Sequence, residues 1–187
     1  MKARLVLYLF ILATCLFSGC NGRSTEAEIK ATTEVLKVIV EEESIDKIVI
    51  HPYGEYLLPL IEQQELKPLL KEYLDDDFTW NDLKNQRKKS ALIAKHIHLS
   101  SKQINCEVFK NVVDSLRRTK SNEWNGIVDK FGSIRGYSIP IFSPQKDKAF
   151  VYTYEIYGKL AGYGCCMFYA RKNEKWILVY EFDEWES

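Results

Sequence analysis

The sequence lacks an excess of charge of either sign. Its 187 residues include 26 basic and 26 acidic side chains, so the formal net charge at pH 7 is zero. Proteins that bind nucleic acid through its phosphates usually present a basic face. The two short basic runs of this chain, at 87–89 and 117–120, fit solvated helix ends instead. The composition therefore argues against nucleic acid as a partner.

The short motifs that mark common catalytic and metal sites are also missing. The sequence has no His-Glu-x-x-His run, no paired Cys-x-x-Cys, no calcium loop and no Gly-x-Ser-x-Gly motif. The glycines within 158–164 lack the spacing of a phosphate cradle and fit a wide hairpin connection. We therefore predict no catalytic, metal or cofactor site and favour a role without catalysis.

A long apolar run occurs at the N-terminus. Residues 5–17 follow Lys2 and Arg4, and this run is shorter than the roughly 20 apolar residues that span a bilayer. A basic start followed by a short apolar stretch is the layout of an export signal. We therefore expect residues 1–19 to be a signal peptide.

Cys20 makes this signal more specific. The small residues Ser18 and Gly19 stand directly before it, which is the arrangement of a bacterial lipoprotein signal. The alternative is an ordinary secretory signal with a cysteine there by chance. We predict that Cys20 is the lipid-attachment residue, that residues 20–24 form a tether, and that multiple acyl chains hold the protein at a membrane. The expected location is the cell envelope, at the outer membrane or in the periplasm.

Three cysteines remain in the body of the chain: Cys106, Cys165 and Cys166. An exported protein meets oxidising conditions, so one disulfide could form, and the odd number would leave a spare thiol. The sequence leaves the pairing open. Because Cys165 and Cys166 are adjacent in a predicted strand, their side chains should point to opposite faces, one in the core and the other exposed.

Residues 25–187 are predicted to form a single α+β domain. Capping residues indicate helix starts at Thr25, Thr79 and Asn105, and Gly132 is a suitable helix end. The C-terminal half is rich in β-branched and aromatic residues, with turn residues between the runs. We expect N-terminal helices packed on an antiparallel meander of about four strands, at 137–142, 148–157, 165–171 and 176–185, with further short strands at 46–51 and 95–99.

Two groups of residues could bind a cation. His96 and His98 would share a face of the predicted short strand, and His51 or a carboxylate would have to supply a third ligand. The acidic run 75–77 offers oxygen ligands at a helix end. The alternatives are surface histidines and ordinary turn chemistry.

Three carboxylates and a set of aromatic residues complete the candidates. Glu155, Asp183 and Glu184 could serve as general acid and base on a glycoside if they were correctly spaced, or could line the solvent face of the sheet. The aromatic residues form either the core or a platform for sugars and proteins. They include Tyr152 and Tyr154 on one strand face, and a stripe of Trp176, Leu178, Tyr180 and Phe182.

Several segments of the C-terminal half resemble a known group of proteins. These are Phe78-Thr79-Trp80-Asn81-Asp82-Leu83, Ser138 to Ser143, Ala149 to Tyr152, the glycine-containing run Gly158 to Gly164, and the terminal Trp185-Glu186-Ser187. Together, over about residues 78–187, the chain resembles small lipoproteins of unknown function that are abundant in Bacteroidota. Many of those proteins carry cysteines where this chain has Tyr157 and Ala161. The resemblance implies an exported, lipid-anchored α+β protein and no known activity.

These observations favour a lipid-anchored protein of the cell envelope that binds a protein or glycan partner without catalysis. The alternative is a small envelope hydrolase acting on a glycan or peptide, with the carboxylates or the histidine pair as its polar groups.

Overall fold

The computed structural model describes residues 25–40, 47–51, 66–100, 102–158 and 161–186, and at Trp80 and 183–186 it describes the backbone only. The signal peptide, Cys20, the tether and the predicted helical stretch before Leu66 lie outside the described residues. So do the side chains of Asp183 and Glu184.

Five helices and seven strands make up the described part of the chain, and the predicted α+β class is confirmed. The helices are α1 (25–40), α2 (Leu66–Tyr73), α3 (Trp80–His96), α4 (Cys106–Arg118) and α5 (Glu123–Phe131). The strands are β1 (Ile48–His51), β2 (Gln103–Ile104), β3 (Ile134–Ser138), β4 (Ile141–Phe142), β5 (Lys148–Gly158), β6 (Ala161–Lys172) and β7 (Lys175–Glu186).

The starts of α3 and α4 follow from local capping, as predicted. The Thr79 side chain accepts a hydrogen bond from the Asp82 backbone N–H, and the Asp82 carboxylate accepts one from the Thr79 backbone N–H at 2.9 Å. The Thr79 hydroxyl also donates to Asp82 Oδ2, and this hydrogen bond, followed by the one from the Thr79 N–H, lowers the pKa of Asp82. Asn105 caps α4 by accepting from the Glu107 N–H at 2.8 Å. Gly132 ends α5 with a φ of 76°, a left-handed value that suits glycine.

The strand predicted at 95–99 is wrong. Helix α3 continues to His96, and the Ile97 N–H still donates to the Ile93 carbonyl at 3.2 Å. The buried residues Ser90, Ile93, Ala94 and Ile97 recur at helical spacing and carry this face into the core. Packing of that face therefore overrides the short alternation seen in the sequence.

The sheet is mixed, with the strand order β2-β1-β3-β5-β6-β7 and with β4 also paired to β5. Strands β3, β5, β6 and β7 form the expected antiparallel meander, whereas β1 runs parallel to both β2 and β3. The strand predicted at 137–142 is split into β3 and β4 around Pro140, which has no N–H to donate.

The predicted wide glycine loop is also corrected, because Gly162 and Gly164 are buried residues of β6. Gly164 and Gly136 flank Tyr154 on its two neighbouring strands. A Cβ atom added at Gly136 would collide with the Tyr154 ring. Glycine is used here to make room for a large neighbour within the sheet.

The core lies on both faces of the sheet. On one face, Phe109 of α4 meets His51, and Tyr73 of α2 stacks on Tyr180 with ring centroids 4.5 Å apart. On the other face, Phe142 packs near Trp176, with centroids 6.1 Å apart. Ion pairs join α1 to neighbouring elements, including Glu28 with Lys89 of α3 at 2.9 Å. No helix in the described ranges is long and apolar enough to cross a membrane.

Candidate functional site

Strand β7 is a long edge strand of the sheet. It has 12 residues, pairs with β6 on one side, and has no paired strand on its outer side within the described part of the chain. The opposite edge, β2, has only two residues. An unpaired edge presents backbone N–H and C=O groups that can accept another strand, and a long edge offers more of them than a short one.

The outer side of β4 is closed by a side chain. The Phe142 N–H donates to Gln86 Oε1 at 2.8 Å, and Gln86 Nε2 donates to the Phe142 carbonyl at 2.9 Å. The amide of Gln86, on α3, thus occupies the position that a peptide group of another strand would take. The fold blocks this edge, and no comparable clamp is present on the outer side of β7 between 175 and 182.

Three consecutive aliphatic residues of β7 are exposed. Ile177, Leu178 and Val179 keep 37%, 43% and 40% of their surface accessible. Natural edge strands are usually protected by charged residues, by proline or by a covering element. A run of adjacent exposed aliphatic residues on an edge is therefore typical of a surface that another chain covers.

A bulge at Val179 shapes this surface and corrects the predicted aromatic stripe. Tyr180 pairs with Phe168 and Leu178 pairs with Tyr169, so Val179 is an extra residue between two adjacent pairs. Trp176 and Leu178 consequently lie on one face of the sheet, and Tyr180 and Phe182 lie on the other. The four residues do not form one stripe.

Two aromatic rings, one buried and one partly buried, pack against opposite faces of the sheet on either side of the exposed run. Trp176 is 6% exposed and packs near Phe142, with the Arg171 guanidinium 6.0 Å from its ring centroid. Tyr180 is partly buried and stacks on Tyr73. The backbone between these anchors is therefore held in an extended conformation before any partner binds, which lowers the entropy cost of pairing.

The structure does not bring the predicted metal-binding histidines together on a strand. His96 ends α3, His98 lies in the segment after it, and both side chains are exposed. No cluster of three His, Cys, Asp or Glu residues suited to a metal occurs among the described residues. In the acidic run, Asp75 Oδ1 accepts from the Asp77 N–H at 2.9 Å, which is ordinary turn chemistry.

His51 is a partly buried residue of β1 that is hydrogen-bonded to another side chain. Its Nε2 atom and the Tyr154 hydroxyl form a hydrogen bond across Gly136, and its ring lies 5.3 Å from that of Phe109. Burial lowers the pKa of His51 to about 4. The imidazole is therefore neutral at pH 7 and belongs to the packing between the sheet and α4.

Glu155 forms an ion pair with Arg135 on the neighbouring strand. Arg135 Nε donates to Glu155 Oε2 at 3.0 Å, and both side chains are mostly buried, at 13% and 21% exposed. The Arg135 guanidinium also lies 5.6 Å from the centroid of the Tyr163 ring. This carboxylate is engaged in cross-strand pairing, so the geometry gives no support to a role as general acid.

The three body cysteines are free thiols. Cys165 and Cys166 do point to opposite faces of β6, but both are buried, so the expectation that one is exposed is wrong. The Cys165 thiol donates to Glu181 Oε1 at 3.2 Å. Burial raises the pKa of the partly buried Cys106 thiol, and the Glu107 carboxylate raises it further. A protonated thiol is a poor nucleophile.

The aromatic residues of the sheet are mainly core. Tyr152, Tyr154, Tyr169 and Trp176 are between 3% and 9% exposed, so they do not form a sugar platform. Tyr157 is an exposed exception on β5, at 48%.

Gln86, Arg135 and the run 177–179 are parts of the site that were not predicted from the sequence. The run carried a usable signal, since three adjacent aliphatic residues break the alternation expected of a half-buried strand. Gln86 and Arg135 carried no such signal, because their partners, Phe142 and Glu155, lie far away in the sequence. Comparison with protein-family models, curated proteins and solved structures finds no match for this chain.

Proposed function

We propose that this protein is a lipid-anchored binding module of the cell envelope that acts without catalysis and takes an extended segment of a protein partner along β7. The observation that supports this role is the exposed run 177–179 on an edge strand of 12 residues. In such pairing, backbone hydrogen bonds supply affinity and alternate side chains supply specificity.

The anchoring part of the proposal rests on the sequence. The signal-like residues 1–19 and Cys20 support a location at a membrane surface, in the outer membrane or facing the periplasm. There the partner would be an envelope protein. A glycan partner is disfavoured, because the aromatic residues that could stack on sugars are mostly buried.

Site-specific photocrosslinking in intact cells tests the binding role. A photoreactive amino acid replaces Leu178 in the full chain, and the same replacement of Leu92, an exposed aliphatic residue of α3, is the matched control. We expect a discrete crosslinked product from position 178 and none from position 92. Equal products from the two positions, or none from either, would refute a binding role for β7.

A second variant addresses specificity. Leu178→Lys places a charge in the middle of the edge, a substitution that natural proteins use to block strand addition. Because Leu178 is 43% exposed, the fold should tolerate the change. We expect the melting temperature to stay within about 2 °C of wild type. With a photoreactive group at Ile177, the crosslinked product should be lost in this variant.

A further inference from the structure

The basic run at 87–89 lies in the middle of helix α3, so its interpretation as a helix end is wrong. At a true helix end, as with Arg117 and Arg118 of α4, cations complement the negative end of the helix dipole. That effect falls off within the last turn and does not reach the middle of a helix of 17 residues. The dipole therefore does not account for the positive charge of α3.

Four exposed residues of α3 recur at i, i+3, i+4 and i+7, which is the spacing of one helix face. The basic face of α3 consists of Lys84, Arg87, Lys88 and Ala91. None of its three cations forms an ion pair with another described residue. Asp82, the acidic residue of this helix, accepts hydrogen bonds from Thr79 at the cap. The basic face is therefore positively charged, although the whole chain is formally neutral.

The start of α1 is held beside the same part of α3. Glu28, in the first turn of α1, forms an ion pair with Lys89 of α3 at 2.9 Å, and Lys146 Nζ lies 3.8 Å from the same carboxylate oxygen. Because two cations share one carboxylate, this contact does not cancel the positive charge of the region. It does fix the first turn of α1 next to the middle of α3.

The predicted lipid-attachment residue, Cys20, lies five positions before Thr25, where α1 begins. Five residues span at most about 18 Å, even when the chain is fully extended. Acyl chains on Cys20 would therefore keep the first turn of α1, and the middle of α3 beside it, within about 18 Å of the membrane surface. The basic face is thus the charged part of the domain that the anchor brings close to lipid.

We propose that the basic face of α3 binds the anionic phospholipid headgroups of the membrane that carries the anchor. Lysine and arginine side chains are attracted to an anionic membrane surface, and the attraction falls off within a Debye length. Three charges alone would bind weakly and be released by washing, but an acyl anchor keeps them at a high effective concentration near the headgroups. Docking of this face would fix the orientation of the domain and hence the direction in which β7 points.

Photolabelling of lipid tests this docking. The full lipidated chain, with a photoreactive amino acid at Ala91, is reconstituted in vesicles of phosphatidylcholine alone or of an equal mixture of phosphatidylcholine and phosphatidylglycerol. Mass spectrometry measures the fraction of the chain that carries a lipid adduct, which adds far less mass than a crosslinked protein. We expect about threefold more adduct, or a larger excess, in the anionic vesicles. Equal adduct in the two kinds of vesicle would overturn the proposal.

Salt and position supply the controls for this measurement. Raising the salt from about 0.1 M to about 1 M shortens the Debye length from about 10 Å to about 3 Å, so the excess of adduct in anionic vesicles should disappear. Tyr157, exposed at the opposite end of β5 from Lys148, is the positional control and should give no such excess. An excess at position 91 that persists in high salt would contradict an electrostatic contact.

Charge reversal shows whether the face or the net charge is responsible. Lys84→Glu combined with Lys88→Glu should reduce the adduct at position 91 to the level found in neutral vesicles. Arg118→Glu combined with Lys120→Glu changes the net charge equally, at the end of α4, and should keep most of the adduct. All four side chains are exposed, so both variants should fold, and thermal melting checks this. An equal loss of adduct in the two variants would refute a specific role for α3.

The inference depends on the anchor at Cys20, which is part of the proposed function, but not on partner binding at β7. The intact mass of the purified chain shows whether Cys20 is acylated. A chain without acyl groups would overturn both the anchoring and the docking of α3. An acylated chain whose adduct at position 91 does not depend on lipid charge would overturn the docking alone and leave the binding role of β7 intact.

Discussion

At the residue scale, His51 makes the stability of the fold depend on pH. Burial lowers its pKa from an ordinary value of 6.5 to about 4. Between these two values the unfolded chain binds a proton that the folded chain does not, so stability is lost as the pH falls through this range. At pH 4.5 the loss attributable to His51 should be about 2–3 kcal/mol relative to pH 7.

The measurement is urea unfolding of the wild type and of His51→Gln at pH 7 and pH 4.5. Glutamine does not titrate and can still form a hydrogen bond with Tyr154. Carboxylates titrate in both proteins, so their effect cancels in the comparison. We expect the wild type to lose more stability than the variant, and an equal loss in both would show that His51 is not the cause.

Trp176 is the second residue with a distinct prediction. It is buried, but its indole N–H has no hydrogen-bond partner among the described residues. Trp176→Ala should lower the free energy of unfolding by about 3–5 kcal/mol, as the loss of a core aromatic does. Trp176→Phe should cost clearly less, because it keeps a ring and removes the unsatisfied N–H. Urea unfolding at pH 7 measures both, and a cost below about 1 kcal/mol for alanine would place Trp176 at the surface.

At the element scale, two hydrogen bonds between the Gln86 side chain and the Phe142 backbone join α3 to β4. Gln86→Leu removes both hydrogen bonds and leaves the Phe142 N–H and C=O without partners. We expect a loss of about 2–4 kcal/mol in the free energy of unfolding, and faster hydrogen exchange of the Phe142 amide. Asn85→Leu, at an exposed position next to Gln86 on the same helix, is the control and should change stability little.

Sequence predicted those elements whose causes are local. The Thr79–Asp82 capping box, the Asn105 cap and the C-terminal strands follow from residues within a few positions of one another. The continuation of α3 to His96 was missed because it depends on packing. The parallel position of β1 was missed because strand order is a long-range property.

The candidate site likewise combines features that the sequence predicts with features that depend on long-range packing. The aliphatic residues of 177–179 are visible in the sequence, but their exposure depends on β7 being the last strand of the sheet. The bulge that separates Leu178 from Tyr180 is likewise set by pairing with β6. The candidate histidine metal site depended on a strand at 95–99. His96 is instead the last residue of helix α3.

At the scale of the whole molecule, the predicted lipid anchor at Cys20 should tether the domain to a membrane. Cys20→Ala should move the protein from the membrane fraction to the soluble fraction after export, because the substitution removes the atom to which lipid would be attached. Fractionation of washed membranes followed by immunoblotting measures this. Ser18→Ala, which keeps a small residue before the cysteine, is the control and should remain membrane-bound. Retention of Cys20→Ala in washed membranes would contradict lipid anchoring.

The bulge at Val179 also bears on how this strand can change in length during evolution. Elsewhere in a paired strand, loss of one residue shifts every later side chain to the wrong face. At Val179 the pairs on either side, Tyr180 with Phe168 and Leu178 with Tyr169, are already successive on β6. A deletion of this single codon would therefore preserve both pairings, and we expect it to be tolerated better than a deletion at a regularly paired position of β7.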